Sequence, residues 1–160
     1  MIRLLVADDH PVMREVVGYV LALAPDIEIA GEADNGDEVM RRVCDGGFDL
    51  LLLDMNMPGI SGVELIESVK RCRANLPILV YTMHNDLQLA MRSIVAGASG
   101  LLTKDSDPEL LLAAVRSVSS GERYLDPAVA GQMTLDAGSA DSPLLSDREM
   151  EAFRLLAGGK

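Results

Sequence analysis

Apolar and polar positions follow a repeating order along this chain: a short apolar run, a polar or glycine-containing turn, then apolar residues at helical spacing. Ile2–Ala7 favours a strand and stops at Asp8-Asp9. Val12, Val16 and Val20 then recur every four residues, which predicts a helix with these valines as its buried stripe. Ile27–Ala33 reads as a second strand, and Val39, Met40 and Val43 mark the apolar face of a short helix. Leu50–Leu53 is a run of leucines stopped by Asp54, as expected of a strand buried on both faces. Ser61 and Glu64 form a capping box ahead of Val63, Ile66 and Val69. Pro77–Thr82 is the fourth strand, followed by a helix carrying Leu87, Met91 and Ile94 that Gly97 can end. Gly100–Thr103 is the fifth and runs into Lys104. Asp107-Pro108-Glu109 has N-cap and first-turn chemistry for a helix that buries Leu111, Val115 and Val118 before Gly121.

Strands that alternate with helices at this spacing predict an α/β domain over residues 1–121. Its sheet is parallel and doubly wound, because parallel crossovers need helices on the sheet faces. Residues 122–143, with Pro127, Gly131, Gly138 and Pro143, read as a linker. Ser146-Asp147-Arg148-Glu149 is another capping box, and Met150, Phe153 and Leu156 follow at helical spacing. One amphipathic helix cannot bury its own face, so residues 144–160 are expected to be a truncated helical domain.

Composition narrows the function. Of 160 residues, 49% are hydrophobic and 24% charged, the balance of a globular protein rather than a disordered one. The net charge of −11 repels phosphate backbones, so the chain as given is expected to bind DNA poorly. The apolar stretch Val16 to Ala24 is too short to span a bilayer, and the N-terminus lacks a basic leader. Cys44 and Cys72 stand alone in helical patterns, with neither disulfide-framework nor zinc spacing, which suits the cytoplasm.

In a parallel sheet all carboxyl ends share one edge, where ligands bind. Asp8 and Asp9, Asp54, Thr82 and Lys104 each lie at such an end. Three close carboxylates repel one another unless a cation lies among them. Oxygen ligands without a His or Cys select Mg²⁺. Lys104 adds a point charge suited to a phosphoryl oxygen, and Thr82 a hydroxyl that can donate to another. That set fits phosphoryl transfer to a carboxylate, with Asp54 as nucleophile. Any one of these residues alone would be an ordinary N-cap, strand-end or surface group; their joint placement at four strand ends favours the site. His10 and His84 are assigned no role, and Met55 and Met57 are read as packing. Asn56-Met57-Pro58-Gly59 is a turn that leaves the Asn56 carbonyl able to face a metal.

Asp8-Asp9, Asp54-Met-Asn-Met-Pro-Gly, Thr82 and Thr103-Lys104-Asp105 resemble the signature of the receiver domain of bacterial two-component response regulators. Residues 144–159 resemble the opening of a LuxR-type helix-turn-helix domain, which points to the NarL/FixJ class. The resemblance implies a flavodoxin-like fold with five strands in the order 2-1-3-4-5. It also implies Asp54 as phosphoacceptor and Asp8, Asp9, Asp54 and the Asn56 backbone carbonyl as Mg²⁺ ligands. Thr82 would hydrogen-bond the phosphoryl group and Lys104 would pair with it. A sensor histidine kinase would be the donor. Homodimerisation on phosphorylation, through the last helix–strand–helix face, would be the output, and DNA would be bound only through a full-length C-terminal domain.

One position departs from the pattern. The family usually carries an aromatic three residues before the lysine, where this chain has Leu101. Tyr81 lies on the opposite strand face from Thr82 and does not replace it. Two rival readings are weighed. A phosphohydrolase of the haloacid-dehalogenase type needs a second Asp two residues after the nucleophile, and Asn56 stands there. A binding module that works without phosphate would not need the intact acid cluster.

Overall fold

A computed structural model describes residues 1–125 apart from 56, 58, 60, 61, 83–86, 105 and 106, and without the side chains of 87, 89 and 90. The elements are β1 (Ile2–Ala7), α1 (Pro11–Ala22), β2 (Ile27–Ala33), α2 (Gly36–Asp45), β3 (Leu50–Leu53), α3 (Gly62–Cys72), β4 (Ile78–Thr82), α4 (Leu87–Ala96), β5 (Gly100–Thr103), α5 (Pro108–Ser119) and β6 (Tyr124–Leu125). Their sheet has the order β2-β1-β3-β4-β5-β6, and every neighbouring pair is parallel. The expected 2-1-3-4-5 core is present. The expected count of five is corrected to six, because Tyr124 and Leu125, read as linker, pair with Gly100 and Leu101.

The leucines of β3 show how the sheet makes two cores. Side chains alternate along a strand, so Leu51 and Leu53 enter one cluster with Val39, Val43, Leu65, Ile66, Val69 and Ile94. Leu50 and Leu52 enter the other, with Val17, Leu21, Leu111, Val115 and Val118. Helices α2, α3 and α4 therefore cover one face, while α1 and α5 cover the other. All four leucines are buried, as their uninterrupted run predicts. Gly100 permits the close approach of α5 and β6: a Cβ there would lie 2.9 Å from Val118 and 3.0 Å from the Tyr124 carbonyl.

The expected phase of α1 is wrong. Val12, Val16, Tyr19 and Leu23 are exposed, and the helix buries Val17 and Leu21 instead. Both stripes are apolar, so spacing alone does not choose between them. Among the caps, Asn35 Oδ1 accepts from the Glu38 amide at the start of α2. Asp107 occupies the N-cap of α5 but makes no side-chain bond there. Gly97 follows the last residue of α4 with φ +127°, as a terminating glycine should. Ser61, half of the expected capping box, and residues 126–160, which hold most of the expected linker and the whole second domain, lie outside the described residues.

The cysteines are also corrected. Cys44 and Cys72 form a disulfide between the ends of α2 and α3, with Cα atoms 6.1 Å apart. No helix among the described residues is long and apolar enough to cross a membrane.

Candidate functional site

The register of the parallel strands brings the site residues to one edge. Ala7 lies opposite Leu53 and Thr82 opposite Thr103, so the residues that follow β1, β3 and β5 emerge together. Backbone bonds fix these exits: the Asp8 amide donates to the Ala33 carbonyl, the Asp54 amide to the Ala7 carbonyl, and the Lys104 amide to the Thr82 carbonyl. Asp8, Asp54 and Thr82 are buried, while Asp9 is half-buried.

Lys104 bridges the pair of buried carboxylates and offsets one negative charge. Its Nζ lies 3.1 Å from Asp8 Oδ2 and 3.3 Å from Asp54 Oδ1, with only 7% of the side chain exposed. Burial pushes the Asp8 carboxyl up, but the hydrogen bond from the His10 amide and the nearby Lys104 ammonium together hold it below the usual carboxylate range. Asp8 is thus ionised at neutral pH in spite of its burial. The Thr82 Oγ1 is buried with no hydrogen-bond partner among the described residues. A buried hydroxyl left so is unusual, and it suits a donor reserved for an incoming oxygen.

His10, to which the sequence pattern assigns no role, joins the acid cluster. Its Nδ1 lies 3.0 Å from Asp8 Oδ1, 3.1 Å from Asp9 Oδ1 and 3.8 Å from Asp54 Oδ2. Position explains this. His10 is the N-cap of α1, and Pro11 at the first helical turn follows an extended residue that lets the ring fold back over the acid pair. The signal available in the sequence was its place directly after Asp8-Asp9. His84 and Asn56 lie outside the described residues. Met55 and Met57 are buried among core residues, in keeping with a packing role.

Ligand atoms of Asp8, Asp9, His10 and Asp54 all lie within 4.8 Å of one another, so this edge can hold a metal ion. Three of the four donors are carboxylates, the donor set that suits a hard divalent cation.

Residues 4–116 match the model of the response regulator receiver domain. The chain belongs to the response regulator family. This response regulator is 33% identical over 165 residues to the response regulator UvrY of Escherichia coli strain K12, covering all of this chain and 76% of that protein. It is 32% identical over 162 residues to the nitrate/nitrite response regulator protein NarL of the same organism, covering 98% of this chain and 75% of that protein. Among solved structures, a LuxR-family two-component response regulator from Aurantimonas sp. SI85-9A1 matches with a TM-score of 0.81 at 29% identity. That match covers 86% of this chain and 98% of the other. The receiver domain of a NarL regulator from Mycobacterium tuberculosis matches with a TM-score of 0.70 at 31% identity, covering 75% of this chain and 97% of that one. The receiver fold expected from the strand–helix rhythm, and the family expected from the strand-end residues, are thus established independently.

Within this receiver domain Leu101 is fully buried between Val80 of β4 and Leu125 of β6. It belongs to the cluster under α2, α3 and α4, whereas Tyr81 belongs to the opposite one. The tyrosine therefore does not take the place of the aromatic that Leu101 replaces.

Proposed function

We propose that Asp54 accepts a phosphoryl group from a phosphohistidine of a sensor histidine kinase. A carboxylate oxygen of Asp54 attacks phosphorus, the phosphorus–nitrogen bond breaks, and the imidazole leaves with a proton. The product is an acyl phosphate on Asp54. The observation that carries this reading is the convergence of Asp8, Asp9 and Asp54 with the Lys104 ammonium, beside a buried Thr82 hydroxyl that has no hydrogen-bond partner among the described residues. Lys104, whose Nζ lies 3.3 Å from Asp54 Oδ1, would pair with a phosphoryl oxygen. Thr82 is placed to donate to another. Asp8, Asp9, Asp54 and the backbone carbonyl of Asn56 would hold Mg²⁺. When bound, the ion neutralises the carboxylates and the charge on the phosphoryl oxygens.

The protein acts in this reading as a phosphoacceptor in signalling rather than as a turnover enzyme, and it works in the cytoplasm. Residues 122–143 serve mainly as a linker, and residues 144–160 begin a LuxR-type helix-turn-helix domain through which transcription is controlled. Phosphorylation shifts the receiver toward a homodimer through the α4–β5–α5 face. The relatives support this assignment, since the curated response regulators align with nearly the whole chain.

The experiment is intact-mass analysis after incubation with Mg²⁺ and acetyl phosphate. One added phosphoryl group is expected, and Asp54→Asn should abolish it. Equal labelling of the variant would place the acceptor elsewhere.

A further inference from the structure

The cysteine pair lies at the other end of the molecule from Asp54. In each strand–helix unit the helix runs back against its strand, so helix C-termini return to the amino edge of the sheet. Cys44 is the last residue but one of α2, and Cys72 is the last of α3. Both are exposed. Their Cα separation of 6.1 Å is within the range a disulfide spans without backbone movement. The surroundings hold the two helix ends in place. Gly46, with φ +83°, ends α2, and Arg73 reaches across to donate from Nε to the Val43 carbonyl and from Nη2 to the Cys44 carbonyl. A cleft of about 440 Å³ opens beside Cys72, lined by residues that include Gly46, Phe48, Arg73 and Asn75, with room for a small thiol.

We propose that Cys44 and Cys72 are a reversible redox modification site that exchanges with low-molecular-weight thiols and disulfides and clamps α2 to α3 when oxidised. In oxidation, the thiolate of one cysteine attacks a small disulfide such as oxidised glutathione and releases one small thiolate. The second cysteine then attacks the mixed disulfide and releases the other. The two protons lost by the protein are taken up by the two small thiols, and the protein thiols are oxidised as the small disulfide is reduced. Helix C-termini disfavour thiolates, and the Arg73 guanidinium bound to the same carbonyls opposes that effect. Exposure on both sides makes the bond reducible without unfolding. The link closes 28 residues of separation, so it constrains the unfolded chain strongly while touching little of the core. The site is independent of the phosphoacceptor reading.

The test equilibrates the full chain, without denaturant, in oxidised or reduced glutathione and then adds an alkylating reagent for intact-mass analysis. No alkylation in the oxidised buffer and two additions in the reduced one are expected. The oxidised protein should melt about 10 °C above the reduced one, and the Cys44→Ser/Cys72→Ser double variant should melt alike in both buffers. Two alkylations after full oxidation would overturn the proposal, because no intramolecular bond would then form. Failure of the native oxidised protein to be reduced would overturn it as well, since the bond would be permanent. A melting temperature independent of the buffer would rule out the clamp.

Discussion

The Lys104 ammonium lies 3.1 Å from Asp8 Oδ2, across 96 residues of sequence, and both side chains are almost wholly buried. Asp54 shares the same ammonium. Removing one partner of a buried pair leaves an uncompensated charge, which costs about 3–5 kcal/mol. Lys104→Gln should therefore lower unfolding free energy by a few kcal/mol in a chelator, with part of the loss restored by millimolar Mg²⁺. Urea titration with and without the metal measures both effects. An unchanged midpoint would mean that the Lys104 charge does not stabilise the buried carboxylates.

Asp9 contributes to the acid cluster from a half-buried position, and its loss removes one negative charge from the ion's surroundings. Asp9→Ala should need far more Mg²⁺ to reach the same extent of labelling by acetyl phosphate. Titration of the metal at fixed donor decides the matter, and the same half-saturation point in both proteins would remove Asp9 from the ligand set.

Away from the site, Arg116 on α5 clasps Asp26 in the loop after α1 with two hydrogen bonds of 3.0 Å each. The hydrogen bond from Arg116 holds the Asp26 carboxyl below its ordinary value of 3.8. A depressed carboxyl stabilises the folded state above the unfolded value, and that contribution is lost as pH falls through the lower folded one. Asp26→Asn should accordingly flatten the loss of stability between about pH 4 and the folded value. The pair is exposed, so the effect should be small and should shrink in high salt. Acid unfolding curves of the two proteins at two salt concentrations would show it, and parallel curves would count against the clasp.

The phase of α1 can be checked by paired truncations. Leu21 is 2% exposed and Leu23 is 76% exposed. Leu21→Ala should cost about 2–5 kcal/mol, whereas Leu23→Ala should stay within about 0.5 kcal/mol. Equal losses in chemical denaturation would mean that the helix is rotated from the position described.

Leu101 is buried without remaining exposed surface, between Val80 and Leu125. Exposing a leucine costs about 1.5–3 kcal/mol, so it has little tendency to move outward. Beryllofluoride with Mg²⁺ should shift the dimer equilibrium only slightly, and Leu101→Tyr should enlarge the shift while costing about 1–3 kcal/mol by overpacking. Sedimentation of both proteins is the measurement. Complete dimerisation of the parent, with no gain in the variant, would show that Leu101 is no handicap.

Local pattern alone was enough to place the five main strands, the helices between them and the residues at their carboxyl ends. Strand and helix periods are local properties, and parallel connections force every strand end to one edge. Asp8, Asp9, Asp54, Thr82 and Lys104 could thus be grouped before any distance was known. Tertiary structure decided the rest, where two local choices were equally good or where a contact joined distant segments. Both stripes of α1 are apolar, and only packing against β2 and α5 selects Val17 and Leu21 over Val12 and Val16. The short β6 exists because Gly100 leaves its flank open to Tyr124. His10 joins the acids through the backbone turn at Pro11. Cys44 and Cys72, ordinary helical residues by spacing, meet only because α2 and α3 end side by side. A one-dimensional pattern records which face of a segment is apolar; which atoms share a space depends on how the segments are stacked.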